Sequence, residues 1–540
     1  MKKINEYIIE KININLTSLD NLQEIIDEYN LEQKLIKANI ISDFDLKQIY
    51  AEMFHIECFS YELDLKNAIL LNDYNLSEKE RVLLLKQNNE VLILLDNPFK
   101  IKEGLKMLLP YNYNYKIYIA TTSELNNQLN YYKVKQNDLL YEKILIPTSS
   151  INQTSNLLLE DIDVAPIVQK VNYWINKAIM LRASDIHFEP TQGISRIRIR
   201  IDGKLKIMDE ISNDIFGEVV SRIKIIANLD ISQKLKPQDG KIVYEYDSNK
   251  FDLRISTIPT ILGEKIVIRI LCQNSFDHNF DKLNYTTEEE TLIKSELEKN
   301  NGLILVTGPT GCGKTTTLYT YLKELIKEEN NIVTIEDPVE YSINGINQIQ
   351  TNSQIGLNFA TLLRNILRQD PNIIMVGEIR DEETAQIAMR AAISGHLVLS
   401  TLHSNYAVGS ITRLLDMGIP KYLVSSALRV VISQQLVRKL CDKCKQRVII
   451  DEKTSIRFNL PSNGDYYESR GCANCYYTGY EGRILLSEIM IVDNTIREMI
   501  MNESSEQNIL AYLKKKKMIL LNQKLKELIV KGIVSIDEIK

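Results

Sequence analysis

The spacing of apolar residues changes several times along the chain, and each change marks an element. Leu303-Ile304-Leu305-Val306 is an uninterrupted apolar run, the pattern of a strand buried on both faces, and helical spacing follows over Thr316 to Lys327. Ile332-Val-Thr-Ile335 and Ile373-Ile-Met-Val376 repeat the buried-strand pattern. Asp381 then reads as the N-cap of a helix that ends at Gly395, and a further strand, His396-Leu-Val-Leu-Ser-Thr-Leu-His403, follows it. Upstream the period falls to two. Arg196-Ile-Arg-Ile-Arg-Ile201 alternates strictly, turns at Asp202-Gly203 and continues through Lys204-Leu-Lys-Ile-Met208, a hairpin with one apolar face and one row of cations. A helix expected from Asp163 accepts Pro166 in its first turn and aligns Ile167, Val171, Trp174, Ile175 and Ala178, which makes the lone Trp a packing residue. Residues 1–135 mix helix-like and strand-like stretches, among them Val91 to Leu95, and carry no catalytic cluster. Apolar periodicity lapses over 136–160, the expected linker.

Composition narrows the classes. A chain of 540 residues holds about three or four domains. Sixty-five basic against 71 acidic residues give a net charge of −6, so global electrostatics do not favour nucleic acid. The first twenty residues lack the apolar core of a signal peptide, and no run of ~18 apolar residues occurs, which predicts a cytoplasmic protein without membrane insertion.

The chemistry centres on Gly308-Pro309-Thr310-Gly311-Cys312-Gly313-Lys314-Thr315, placed between a strand and a helix. Glycines let the backbone curl until its N–H groups face phosphate oxygens, and the helix adds its positive end. Lys314 supplies a point charge for the outer phosphates and Thr315 a hydroxyl for magnesium, so residues 308–316, Thr316 included, form the expected ATP site. Two later strands end in acidic sets, Glu336-Asp337-Pro338-Val339-Glu340 and Gly377-Glu378-Ile379-Arg380-Asp381. Carboxylates there can hold magnesium through water and orient an attacking water. Glu378 is the catalytic candidate among them, whereas Asp381 is accounted for as a cap. His396 and His403 flank one strand and read as sensor or coupling residues. Beside a phosphate site, the Arg196–Arg200 row is either a solvated face or an anion-facing one.

Four of the seven cysteines form Cys441-Asp-Lys-Cys444 and Cys472-Ala-Asn-Cys475, pairs separated by 27 residues. Two such knuckles offer four thiolates and point to structural zinc without an open coordination position.

These residues together carry a resemblance. The chain resembles the secretion ATPases of type IV pilus assembly and type II secretion. The phosphate loop, Thr334 to Glu340, Val376 to Asp381 and Gly395 to Asn405 are similar to the family's Walker A, Asp, Walker B and His boxes. Upstream, Ala183 to Pro190, Ala227 to Asp230, Pro237 to Gly240 and Leu253 to Pro259 resemble its second N-terminal domain, and Gly471-Cys472 with Thr478 to Arg483 its zinc module. The resemblance implies an α/β protein with a RecA-like P-loop NTPase core (276–540), which includes a tetracysteine zinc module (438–483) and a C-terminal helical region (484–540). A PAS-like α+β domain (161–275) and a small N-terminal α/β domain (1–135) precede that core. It implies that Lys314, Thr315, Glu340 and Glu378 serve hydrolysis, that His396 and His403 sense the γ-phosphate, and that Arg254 and Arg269, with Arg198 and Arg200 behind them, neutralise phosphoryl charge. Partners implied are a homohexamer, an inner-membrane platform protein at the inner face of the cytoplasmic membrane and, indirectly, pilins or pseudopilins; cofactors are ATP, Mg2+ and Zn2+. Ser404 and Tyr406 replace the family's Thr and Asp, and Lys236 and Lys241 stand where arginines are common. Gln33-Lys34-Leu35 departs from the Arg-Leu-Gly start of cyclic di-GMP binders, so that ligand is not expected. A nucleic-acid-translocating RecA-like ATPase with a zinc ribbon is the alternative, and a non-hydrolysing nucleotide scaffold a third reading.

Overall fold

The computed structural model describes residues 35–36, 41–144 apart from 62, 64 and 112, 166–272 apart from 248, and 279–539 apart from 462 and 463. Most of the segment compared with cyclic di-GMP binders therefore lies outside the described residues. The chain forms two compact units, one of residues 1–177 with 441–446 and 469–481, the other of 178–440, 447–468 and 482–540.

In the first unit, strands β1 (Glu57–Cys58), β2 (Ile69–Leu70), β3 (Val82–Gln87), β4 (Glu90–Leu95) and β5 (Asn114–Ile119) form one sheet in the order β1-β5-β4-β3-β2. Because side chains alternate across a strand, β3 and β4 feed two cores. Val82, Leu84, Ile93 and Leu95 join Leu46 and Ile49 of the helix Asp43–Phe54, while Leu83, Leu85, Leu92 and Leu94 join Leu125, Leu129 and Tyr132 of the helix Thr122–Ile144. Each of the aliphatic side chains among them that is fully buried, such as Val82, Leu84, Ile93 and Leu125, contributes about 1.5–3 kcal/mol. A buried ion pair, Lys47 with Glu124 at 2.9 Å, ties the two helices together. The second helix runs to Ile144, into the stretch expected to be linker; 145–165 lie outside the described residues. Trp174 is fully buried, as a packing residue should be.

In the second unit β6 (Asp185–Glu189), β7 (Ile194–Ile201), β8 (Lys204–Ser212), β9 (Gln238–Tyr246), β10 (Asn249–Thr260) and β11 (Gly263–Cys272) form an antiparallel sheet in the order β8-β7-β6-β11-β10-β9. The expected hairpin is β7–β8, turned by Asp202 and Gly203 at φ 47° and 85°. Its apolar face, Ile197 and Ile199, is buried with Ile186, Phe188, Ile266 and Ile268. The helix Asn213–Ile226 packs on these strands through a face that includes Val219 and Ile223.

The chain then builds β12 (Gly302–Thr307), β13 (Ile332–Glu336), β14 (Asn347–Gln350), β15 (Ile373–Val376), β16 (Leu397–Leu402) and β17 (Leu428–Leu440). A small pair, β18 (Gln446–Val448) with β19 (Tyr466–Glu468), precedes β20 (Tyr480–Ile491). The seven-stranded sheet has the order β14-β13-β15-β16-β12-β17-β20, and the strands from β14 to β17 run parallel. Helices Thr287–Leu297 and Lys314–Leu325 cover one face, and Phe359–Ile366, Glu382–Ile393 and Asn494–Met501 cover the other. Parallel direction brings the ends of β12, β13, β15 and β16 to one edge, where α/β sheets place their ligands.

Candidate nucleotide site and tetracysteine cluster

At that edge residues 308–313 leave β12 and the helix Lys314–Leu325 begins behind Gly313, itself at φ 88°. Gly308 has φ 145°, and a Cβ there would lie 2.3 Å from the Gln434 carbonyl oxygen, so no other residue fits. Lys314 Nζ donates to the carbonyls of Gly308 at 3.0 Å and Pro309 at 3.2 Å. Thr315 and Thr316 are exposed, whereas Cys312 is buried and its thiol is pushed up by that burial. Gln434 of β17 braces the loop: its Nε2 donates to Cys312 O and its Oε1 accepts from Thr317 Oγ1, both at 3.0 Å.

A pocket of about 150 Å³ opens beside the loop, lined by Lys314, Thr315, Glu336, Asp337, Glu340, Glu378 and His403 among others. Glu378 pairs with Arg380, and its Oε2 lies 3.8 Å from His403 Nε2. Burial, then the charge of Lys314, holds the His403 pKa below its ordinary value, against the opposing pull of Glu378. Glu336 is buried and fully engaged, accepting from Tyr319, from Thr334 Oγ1 at 2.6 Å and from Gln348 Nε2 at 3.1 Å. The Tyr319 hydroxyl also accepts from the Glu340 N–H at 3.4 Å, and its pKa is pushed far up by burial and by Glu336. Arg254 of β10 stands 2.9 Å from the Glu340 carboxylate. The Thr315 hydroxyl and the carboxylates of Asp337, Glu340 and Glu378 are hard oxygen donors of the kind magnesium takes.

The structure separates the two histidines. His403 follows β16 at the pocket, but His396 precedes β16, so one strand length, about 20 Å, lies between them. His396 Nδ1 contacts Ala391 O at 3.0 Å, and the ring lines a different cavity with Lys294, Lys299 and Asn372. A γ-phosphate-sensing role for His396 therefore has no support in its position. Arg269 lies in register with Arg254, yet its Nε donates to Asp185 Oδ1 at 3.1 Å and the side chain is not among the pocket residues. Arg198 makes two bonds to Glu189, at 2.6 and 3.0 Å, and Arg200 lies 3.5 Å from Asp185. Against the cost of burial, Arg198 and Lys265 hold the Glu189 carboxyl down to about 2. The cation row is thus largely neutralised within its own sheet. Asp381 is the cap it was expected to be, accepting from Thr384 N at 2.8 Å. Gln434, Tyr319 and Gln348 carried no sequence signal, because each acts through a long-range side-chain bond from an ordinary strand or helix position.

The four cysteines converge with no disulfide between them. Their sulfurs all lie within 4.8 Å of one another, with Cys441–Cys472 at 4.0 Å, Cys444–Cys475 at 3.8 Å and Cys472–Cys475 at 3.9 Å. A tetrahedral ion with ~2.3 Å bonds spaces its thiolates about 3.8 Å apart, so the set fits zinc. Backbone N–H groups of Cys472 and Gly479 point at Cys475 Sγ, each at 3.2 Å, and stabilise a thiolate there.

A family model described as type II/IV secretion system protein matches residues 160–540. The type IV pilus assembly ATPase PilB of Myxococcus xanthus is 38% identical over 486 residues, 87% of this chain and 85% of that protein. The type II secretion system protein E of Pseudomonas aeruginosa is 44% identical over 352 residues, 65% of this chain and 70% of that protein. Among solved structures, the Legionella pneumophila ATPase DotB has a TM-score of 0.52 at 22% identity, over 72% of this chain and 97% of that one, a likeness of fold.

Proposed function

Because the chain belongs to the type II/IV secretion system protein family, we propose that it is an ATP-hydrolysing hexameric motor. It would power assembly of type IV pili or type II secretion pseudopili by driving an inner-membrane platform protein from the inner face of the cytoplasmic membrane. The observation that carries this reading is one pocket holding Lys314, Thr315, Glu340, Glu378 and His403. In it the 276–540 region is the RecA-like core, 161–275 the PAS-like domain and 438–483 the zinc module.

Each residue has a physical task. The loop N–H groups and the Lys314 ammonium hold the β- and γ-phosphates, and the Thr315 hydroxyl with nearby carboxylates would hold magnesium, which screens phosphate charge when bound. Glu378, 18% exposed, orients a water for in-line attack on the γ-phosphorus; the bond to the β-phosphate oxygen breaks and ADP leaves. His403, kept neutral, offers a nitrogen to the γ-phosphate without adding charge when phosphate departs. Arg254 grips the segment that carries Glu340, so movement of that segment on phosphate release reaches β10 directly. Four thiolates leave no open position on zinc, which makes its role structural. Among the described residues no helix is long and apolar enough to cross a membrane.

The test is the ATPase rate of the full chain alone, with the cytoplasmic domain of a platform protein, and with single- and double-stranded DNA. Stimulation by the platform domain is expected. Stimulation by DNA alone would replace the motor reading with that of a nucleic-acid translocase.

A further inference from the structure

The helix Thr122–Ile144 divides its faces. Leu125, Leu129 and Tyr132 enter the core of the N-terminal sheet, while Asn127 and Tyr131, four residues apart and so on one face, turn to the second cysteine knuckle. Asn127 Nδ2 donates to Asn474 Oδ1 at 2.8 Å, and the Tyr131 ring lies 5.0 Å from that of Tyr477. Asn127 also donates to the Tyr61 hydroxyl at 3.2 Å, and Tyr61 packs on the cysteines themselves. Asn474 Nδ2 in turn lies 3.5 Å from Cys441 Sγ. From this arrangement we propose that the tetracysteine cluster is the docking surface for the chain's own N-terminal domain, and that zinc occupancy decides whether the domain is held. The metal dependence rests on the zinc reading given above.

Two features tie docking to the metal. Tyr476 and Tyr477 occupy the left-handed region, at φ 47° and 57°, which bulky residues avoid. They are held there by knuckle bonds, Tyr477 N to Cys472 O at 2.8 Å and Thr478 N to Cys475 O at 2.9 Å, so the ring that meets Tyr131 is presented only by a closed knuckle. The buried cluster at this place consists of the four cysteines, with Tyr61 against it. A core that small draws its folding free energy from the ion. Loss of zinc therefore unmakes the surface that Asn127 and Tyr131 use, while β3 and β4, with cores of their own, persist.

The experiment is hydrogen exchange on the full chain, as purified with zinc, after stripping by a chelator under reducing conditions, and after zinc is restored. Amides of 123–133 and 471–479 should exchange at least about tenfold faster without zinc, with β3 and β4 still protected, and should recover with zinc. In the zinc-loaded protein, Asn127→Ala with Tyr131→Ala should speed exchange in 471–479 without changing zinc content. Unchanged protection of 123–133 in protein verified to be metal-free would overturn the metal dependence, and unchanged exchange in the double variant would overturn the docking. Folded, reduced protein purified without zinc would instead refute the tetrathiolate reading, and the double variant would still decide the docking.

Discussion

The guanidinium of Arg254 stands 2.9 Å from the carboxylate of Glu340, and its Nη2 donates to the carbonyls of Val339 and Glu340 at 3.1 and 3.2 Å. One side chain of the six-stranded sheet thus fixes both backbone and carboxylate of a residue in the nucleotide pocket. Arg254→Ala should lower kcat by roughly ten- to a hundredfold, on the order of one lost charged hydrogen bond, with a smaller change in nucleotide affinity. Arg254→Lys should not restore it, because a lysine makes no fork. Steady-state kinetics with parallel nucleotide-binding titrations would show this, and wild-type turnover in Arg254→Ala would remove the assignment.

Tyr319 holds Glu336 and the Glu340 N–H together. Tyr319→Phe deletes one hydroxyl and leaves a buried carboxylate short of a donor, at a cost of about 1–3 kcal/mol. The melting temperature should fall and kcat should drop with it, whereas a variant as stable and active as wild type would make the contact incidental.

His403 titrates below its ordinary value of about 6.5, so it is neutral at pH 7. Turnover should be flat above that value and fall on an acid limb below it, a limb that His403→Gln abolishes. For stability the sign is the same: with the folded pKa depressed, the unfolded chain binds the extra proton. The contribution is thus intact above about pH 6.5 and lost as pH falls towards the folded value. His396, at the far end of β16, should shift neither profile when changed to Ala.

Elemental analysis should give about one zinc per chain. Stripping it should lower thermal stability without abolishing nucleotide binding, since the phosphate loop is built on the seven-stranded sheet rather than on the knuckles. A folded, reduced sample with near-zero zinc would remove the metal.

Local pattern carried much of this molecule and failed where contacts are long-range. The hairpin β7–β8, the buried strands β12, β13 and β15 and the Asp381 cap were readable because each rests on neighbours in sequence. The phosphate loop was readable because Gly308 must be glycine where Gln434 approaches, although Gln434 itself left no trace. The two histidines looked equivalent, since a strand's two ends differ only in which edge of a sheet they reach, and sheet direction is a tertiary fact. The arginine row suggested an anion site because Asp185 and Glu189, which neutralise Arg200 and Arg198, lie on a strand that pairs with it only after folding. The same limit hid the meeting of Asn127 with Asn474.

Steady-state ATP turnover by Glu378→Gln beside wild type, with magnesium present and nucleotide binding measured on the same preparations, is the decisive comparison. The geometry of Glu378 beside His403 and the phosphate loop predicts nucleotide affinity within a few-fold of wild type and turnover reduced by at least about a hundredfold. Wild-type turnover in that variant would contradict the placement of the catalytic centre at the ends of β12, β13, β15 and β16.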